Sequence, residues 1–334
     1  MSLPRRALRF LVPFVFAFAP SLAAQAGEAC KGVDLIAKLK RTDKAGYAAF
    51  EREAARVPAG EGLLWKIEKP GVQPSHLFGT FHAGDPRLIA KVAKAEPLVK
   101  AASSVATELG DMSATAKALE MARTLFSAIS SDNHSLSLVG SEARRRRLVA
   151  LGAQRGFDRQ AIDKMAPWLL ISVFALPACE MARADREIVD ERVVSAAREA
   201  GVKIEALESV EEQLDAIKSI DAKTVGAYLG VLADRPALID DGFATMASLY
   251  AASRIGAIEA AMKHGLKLSA RQSMLSEDVS QRLVIDRNRT MVKRSTPLLE
   301  KGGAFVAVGA LHLVGAQGMV ELLRKDGWSV TKVW

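Results

Sequence analysis

Two hydrophobic periods alternate along this chain of 334 residues. Short apolar runs, or apolar residues at every second position, indicate strands, and apolar residues three or four apart indicate helices. The predicted strands are 63–67, 75–81, 104–108, 203–207, 304–308 and 329–333. The predicted helices lie within 31–57, 85–102, 114–200, 209–300 and 317–325. Strands near both ends with helices between them predict an α/β protein (α+β by some definitions), whose central sheet combines N- and C-terminal segments around a mostly helical middle.

The residues that begin and separate these segments agree with this pattern. Asp85 followed by Pro86 is a typical helix start, with the aspartate as N-cap and proline in the first turn. No low-complexity tract and no interdomain linker interrupts the chain. We therefore predict a single domain over 27–334, with a helical insertion at about 112–200.

The first 26 residues have the parts of a secretory signal peptide. Basic residues precede an apolar stretch at 10–19, and Ala24 and Ala26 are the small residues that a signal peptidase requires. A membrane anchor is the alternative, but a helix needs about 20 apolar residues to cross a bilayer. We expect cleavage before Gly27 and an exported protein, periplasmic or secreted, with no stable membrane span afterwards.

Composition and charge argue against a nucleic-acid partner. The chain has 46 Lys and Arg against 38 Asp and Glu, for a net charge of +8, and only 6% aromatic residues. Such a balance permits contact with nucleic acid but gives no basic patch with aromatic rings for base stacking. The arginine run at 144–147 is interpreted as a solvated helix face.

Cys30 and Cys179 are the two cysteines of the chain. Two lone thiols in an oxidising compartment are more often paired than free, so we predict that they form a disulfide. Two buried free thiols are the alternative. Neither cysteine has a neighbour at metal-ligand spacing.

Two segments repeat the order strand, Gly-x-x-His and turn. The first motif runs from Gly79 to His82 and the second from Gly309 to His312, although the chain contains only 5 histidines. Glycine permits a sharp turn or a close backbone approach at a strand end. Open α/β sheets bind their ligands beyond the carboxyl ends of the strands, where both histidines are expected. Glu108 ends its own predicted strand and is expected at the same edge.

These three side chains predict a functional site. Two imidazoles and one carboxylate are a known ligand set for a catalytic divalent metal, and a shared ion at about 2.0–2.2 Å from each donor brings the histidine nitrogens within roughly 3–4 Å. The same groups also suit metal-free acid–base chemistry. The structural alternative is a pair of capping or core histidines. Common hydrolase and nucleotide-binding motifs are absent from the sequence: it has no His-Glu-x-x-His, no Gly-x-Ser-x-Gly and no phosphate loop.

Several motifs together resemble the TraB/GumN family, and its exported bacterial GumN-like branch in particular. The family shares its core with the Tiki metalloproteases and, more distantly, with erythromycin esterases and ChaN-type heme-binding proteins. The resemblance rests on Gly79-Thr80-x-His82 with Asp85-Pro86, Glu108-Leu109, Leu207-Glu208 with Gln213, Asp286-Arg287-Asn288, and Gly309-x-x-His312-Leu313-x-Gly315-x-x-Gly318. The pieces Cys30-x-Gly32-x-Asp34-Leu35 and Glu61-Gly62-Leu63-Leu64-Trp65 resemble the exported branch.

The resemblance implies roles for particular residues. It implies that His82, Glu108 and His312 hold a metal, with Glu108 as ligand or base. Arg287 and Asn288 are expected near the same site, where the guanidinium could clamp an oxyanion or a substrate carboxylate and the amide could orient a ligand. Their alternative is a buried hydrogen-bonded pair between helix and sheet. The sequence alone also allows Glu208 to be an ordinary acidic residue at a helix start.

The implied function is that of an exported, peptidase-like hydrolase dependent on a divalent cation such as zinc, manganese or cobalt. Its substrate would be a peptide or another small exported molecule. A protein that binds metal, heme or peptide without turnover is the alternative, and an accessory factor in exopolysaccharide production is a third possibility. The sequence does not decide the substrate or the oligomeric state.

Overall fold

A computed structural model of the chain describes residues 30–182 and 187–334. The predicted signal peptide and its cleavage site at Gly27 lie outside these residues. Within them no helix is long and apolar enough to cross a membrane.

The centre of the fold is a mixed sheet with the strand order β4-β3-β5-β2-β1-β6. In the described part of the chain its strands are β1 (Leu64–Glu68), β2 (Ser75–Thr80), β3 (Ser104–Thr107), β4 (Ile204–Ala206), β5 (Ala304–Gly309) and β6 (Ser329–Lys332). The four strands β4, β3, β5 and β2 are parallel, and β1 is antiparallel to both β2 and β6. The predicted α/β class and the sheet built from both ends of the chain are confirmed.

Helices connect and cover these strands. Those found in the described ranges are α1 (Leu35–Thr42), α2 (Lys44–Ala54), α3 (Pro86–Lys100), α4 (Ala114–Ala128), α5 (Glu142–Ala153), α6 (Arg159–Lys164), α7 (Pro167–Val173), α8 (Ala178–Met181), α9 (Val189–Glu199), α10 (Val210–Lys218), α11 (Ala222–Asp234), α12 (Leu238–Ala251), α13 (Ile258–Leu266), α14 (Ala270–Ser280), α15 (Asp286–Lys301) and α16 (Met319–Lys325). A π-helical turn, Gln281–Ile285, joins α14 to α15.

Local sequence explains where the elements next to the site begin. Asp85 accepts a hydrogen bond from the backbone N–H of Arg87 and Pro86 takes the first helical position, so α3 begins as expected. Pro70 and Gly71 separate β1 from β2, and Gly71 has φ +79°, a conformation that glycine adopts without strain. β1 pairs with β2 in antiparallel orientation, so the two strands form a hairpin.

The apolar core consists of two clusters. The larger one contains the sheet and the helices against it, and the smaller one is built from residues between 128 and 174 and between 220 and 239. All residues of β5 from Ala304 to Val308 are buried, as expected for a parallel strand that helices cover on both faces. Helix α9 belongs to the larger cluster and packs mainly against α3, with further contacts to β3, β4 and β5.

The predicted disulfide is confirmed. Cys30 and Cys179 are bonded, with their Cα atoms 5.6 Å apart and 149 residues between them in sequence. Glu180, next to Cys179, accepts a hydrogen bond from the backbone N–H of Gly84 at 3.2 Å. The bond therefore ties the first described residue of the chain to a segment that contacts the turn after β2.

Candidate functional site

The carboxyl ends of three parallel strands meet at one edge of the sheet. Thr80 at the end of β2 pairs with Gly309 at the end of β5, and β3 lies on the other side of β5. His82 follows β2 by two residues, Glu108 follows β3 directly, and His312 ends a 3₁₀ turn that follows β5. The strand order therefore brings together residues that are up to 230 positions apart in sequence.

Gly309 leaves open the space between these three side chains. A Cβ atom at this position would lie 3.2 Å from Glu108 Oε1, 3.5 Å from His312 Cδ2 and 3.9 Å from His82 Nε2. The three predicted groups thus surround one small volume above the backbone of Gly309. A side chain there would occupy the space in which they face each other.

Glu108 is buried and fully engaged at this centre. Its Oε1 accepts a hydrogen bond from Gly309 N–H at 2.7 Å, and its Oε2 accepts from Gln213 Nε2 at 2.9 Å and Arg287 Nη2 at 3.0 Å. Burial by itself would raise the pKa of this carboxyl group, but the positive charges of the neighbouring imidazoles and of Arg287 outweigh it and lower the pKa of Glu108 to about 2. Glu108 is therefore a fixed carboxylate.

His312 is buried, and its tautomer is determined by Asn288. The amide nitrogen of Asn288 donates to the carbonyl oxygen of Gln317 at 2.8 Å, so the amide oxygen faces His312 Nδ1 at 2.7 Å. An amide oxygen only accepts, so Nδ1 carries the proton. Burial lowers the pKa of His312 to about 4. The neutral ring consequently presents the lone pair of Nε2, which lies 3.9 Å from Glu108 Oε1.

His82 occupies the solvent-exposed side of the site, with 64% of its side chain accessible. Its Nδ1 donates to Asp190 Oδ2 at 2.9 Å, and the other oxygen of Asp190 accepts from the hydroxyl of Thr80 at 2.5 Å. The charge of Asp190 raises the pKa of His82 to about 9, although burial of part of the ring opposes this effect. As in His312, the Nδ1 atom is engaged and Nε2 is left for the site.

Arg287 links the two buried carboxylates of the site. Its Nη2 lies 3.0 Å from Glu108 Oε2 and 2.6 Å from Glu208 Oε2, and its Nη1 donates to the carbonyl oxygen of Leu283. Leu283 belongs to the π-helical turn, which immediately precedes α15 and is a feature often found at functional sites. Glu208 has a side chain only 2% exposed, so it is a buried ion-pair partner and not an ordinary helix-start acid.

An open surface pocket of about 210 Å³ lies between α10 and the start of α15, and its walls include Glu208, Glu212, Arg282 and Arg287. The ion pair of Arg287 and Glu208 therefore belongs both to this pocket and to the contacts of Glu108.

The structure brings together all five residues that the sequence predicted for the site: His82, Glu108, Arg287, Asn288 and His312. Their roles stay predictions. Among the described residues, no three His, Cys, Asp or Glu side chains are close enough to hold a metal ion without rearrangement.

Asp190 is the site residue that sequence reasoning missed. It lies in the first turn of α9, inside a long helical stretch with no motif around it. Acidic residues in a first helical turn are common, because they interact favourably with the helix dipole. Its position therefore gave no signal that distinguished it from the neighbouring Glu191.

Residues 63–332 match the model of the TraB/PrgY/gumN family, and the chain therefore belongs to this family. The match includes every residue of the site described above. No curated protein and no solved structure shows significant similarity to this chain.

Proposed function

We propose that this member of the TraB/PrgY/gumN family is an exported hydrolase that uses a divalent metal ion held by His82, Glu108 and His312. The observation that carries the proposal is common to both histidines. Each donates its Nδ1–H to a side-chain oxygen, of Asp190 or of Asn288. Nε2 of His82 then lies 3.9 Å from the Cβ position of Gly309, and Nε2 of His312 lies 3.9 Å from Glu108 Oε1. Histidines that bind metal nearly always have their second nitrogen fixed in this way.

The charges of the site also favour a cation. Glu108, Asp190 and Glu208 contribute three negative charges to the site. Arg287 and His82, whose pKa is about 9, contribute two positive charges near neutral pH, so the net charge is negative and His82 would release a proton when it binds an ion. His312 is neutral because its pKa is about 4. His312 Nε2 and Glu108 Oε1 lie 3.9 Å apart. A divalent ion between them would bind both the lone pair of the imidazole and the carboxylate.

The donor set fits such an ion in kind. Two imidazole nitrogens and one carboxylate oxygen form the ligand set of several catalytic zinc sites, which keep a further position for water or substrate. Closure of the site around an ion would require the three ligand side chains to approach one another while His82 Nδ1 keeps its contact with Asp190. A bound zinc ion would supply a water molecule with a pKa of about 7, which is a nucleophile near neutral pH.

The contacts of Glu108 support a ligand role and not that of a general base. A carboxyl group with a pKa of about 2 is a poor proton acceptor near neutral pH, and both of its oxygens already accept hydrogen bonds. Arg287 donates to Glu108 and Glu208, so we infer that it fixes the ligand carboxylate. Asn288 determines the tautomer of His312.

Export is supported by the disulfide, and the substrate class is supported by the likeness of the motifs. The disulfide between Cys30 and Cys179 is consistent with an oxidising compartment. A peptide substrate is suggested by the likeness of the motifs to those of the Tiki metalloproteases.

A second candidate function is binding without turnover. Both buried carboxylates next to Arg287 are engaged, so neither Glu108 nor Glu208 is a free carboxylate base. A metal- or peptide-binding protein needs no such base, and measurement of turnover separates the two functions.

The test is metal analysis of the purified protein, followed by assays with a peptide library in the presence and absence of a chelator. We expect about one divalent ion per chain and a loss of hydrolysis by at least 100-fold in His82→Ala and His312→Ala. His134→Ala is the matched control, because His134 is a solvent-exposed histidine paired with Asp163 and is not part of this site. Hydrolysis that continues at the unmodified rate in the chelated protein and in His82→Ala would refute the proposal, and metal binding without hydrolysis would favour the second candidate.

A further inference from the structure

We propose that Asp190 is a positioning residue, which fixes the ring of His82 so that Nε2 faces the metal-binding space. The inference rests on the proposed function and adds a residue that neither the Gly-x-x-His motifs nor any other sequence signal indicated. Asp190 Oδ2 accepts the proton of His82 Nδ1 at 2.9 Å. A carboxylate cannot donate, so this contact selects the Nδ1–H form of the neutral ring and leaves the Nε2 lone pair free.

Asp190 can determine the ring orientation because it is itself fixed to the sheet. Its Oδ1 accepts a hydrogen bond of 2.5 Å from the hydroxyl of Thr80. Thr80 is the last residue of β2 and is only 2% exposed. The two oxygens of Asp190 therefore bind Thr80 at the end of the strand and His82 in the turn that follows it. The carboxylate cannot rotate without the loss of both contacts.

The backbone around Asp190 keeps it at this distance. The N–H of Val189, the first residue of α9, donates to the carbonyl oxygen of Ala83 at 3.3 Å. Val189 and Val193 are fully buried in the larger apolar cluster. The first turn of α9 is thus packed against the turn that carries His82, and Asp190 projects from a rigid element.

His82 needs such a partner more than His312 does. The side chain of His312 is 5% exposed and is surrounded by protein, whereas that of His82 is 64% exposed. Packing leaves His312 little freedom to rotate, but few atoms restrict the ring of His82. Hydrogen bonds from fixed partners are the usual means of orienting a metal-binding histidine, and their removal weakens metal binding by about 10- to 100-fold.

The first test measures the tautomer of His82 in the metal-free protein by nitrogen NMR of labelled histidine. Spectra are recorded at about pH 10, where a group with a pKa of about 9 is mostly neutral. His82→Gln identifies the resonances. We expect the Nδ1–H form in the unmodified protein and a substantial gain of the Nε2–H form in Asp190→Ala. An unchanged tautomer ratio in Asp190→Ala would overturn the proposal, whether or not the protein binds metal.

The second test measures zinc affinity by competition with a chromophoric chelator. We expect a 10- to 100-fold loss in Asp190→Ala and a smaller loss in the isosteric Asp190→Asn, which can still accept one hydrogen bond. Glu191→Gln is the matched control, because Glu191 is the adjacent acid on the same helical turn and pairs with Lys117. Affinity within twofold of the unmodified protein in Asp190→Ala would overturn the positioning role. Circular dichroism of each variant verifies that it is folded.

Discussion

The two Gly-x-x-His motifs occupy opposite environments within one site. His312 is buried, is neutral and is held by the uncharged side chain of Asn288, and burial lowers its pKa to about 4. His82 is mostly exposed and is held by the charged side chain of Asp190, which raises its pKa to about 9. The same sequence pattern therefore places the two rings at one edge of the sheet, but the residues around each ring determine its pKa. A single site gains one buried, neutral histidine and one accessible histidine whose ring Asp190 orients.

At the buried side of the site, the contribution of Arg287 to stability is expected to be the largest. Replacement by methionine would leave Glu108 and Glu208 buried without their common cation, and removal of one partner of a buried ion pair typically lowers stability by about 3–5 kcal/mol. We expect a decrease of that size for Arg287→Met in urea unfolding followed by circular dichroism.

Arg294→Met is the matched control for this substitution. Arg294 lies on the same helix but forms a partly exposed pair with Glu212, with 41% and 44% of the two side chains accessible, so its loss should lower stability by about 1 kcal/mol or less. Equal effects of the two substitutions would show that the buried cluster contributes no more than a surface pair.

The turn that carries His82 is held in part through the disulfide, because the residue after Cys179 binds the backbone of Gly84. The double variant Cys30→Ser/Cys179→Ser removes the bond that ties residue 30 to the segment contacting Gly84. We expect a loss of stability of about 2–5 kcal/mol, as is usual for a native disulfide, measured by urea unfolding without reductant. The unmodified protein treated with reductant should show a similar loss. A difference below 0.5 kcal/mol would contradict a stabilising role.

The contrast between the histidines predicts unequal effects of their removal on stability. His312→Ala leaves a cavity and an unpaired oxygen on Asn288, and we expect a loss of about 2–3 kcal/mol. His82→Ala removes a mostly exposed side chain, and its effect should be below about 1 kcal/mol. Urea unfolding of both metal-free variants measures this difference, and a larger loss for His82→Ala would reverse the comparison.

The smallest expected effect is the dependence of stability on pH, measured by urea unfolding with a chelator present. The pKa of His82 is raised from 6.5 to about 9, so its contribution to stability is complete below pH 6.5 and is lost as the pH rises to 9. Solvent screens the exposed pair and keeps the change small. His82→Gln should abolish this decline.

For His312 the sign is opposite. Its pKa is lowered from 6.5 to about 4, so the folded protein binds fewer protons than the unfolded chain in this range, and stability falls as the pH decreases from 6.5 to 4. His312→Gln should weaken the acidic decline and leave the alkaline one unchanged. Identical pH profiles for the two glutamine variants would argue that their environments do not differ.

Much of the site could be predicted from sequence because its residues directly follow strands. An apolar run followed by Gly-x-x-His or by Glu108 indicates both a strand and the place where it ends. Parallel strands bring such ends to one edge of the sheet. Arg287 and Asn288 were found only through the resemblance to a family, since a helix interior gives no local sign of which residues face a site. Asp190 had neither kind of signal, and its role follows from the position of α9 alone.

The sequence by itself determined the alternation of strands and helices, the two histidine motifs and the pairing of two lone cysteines, because each depends on residues close in sequence or on composition. The tertiary structure decided the strand order, which places β5 between β2 and β3. It also decided that Glu208 is buried against Arg287 and that Asp190 faces His82. These features depend on desolvation and on charges brought together over more than 75 residues of chain, and no local pattern encodes them.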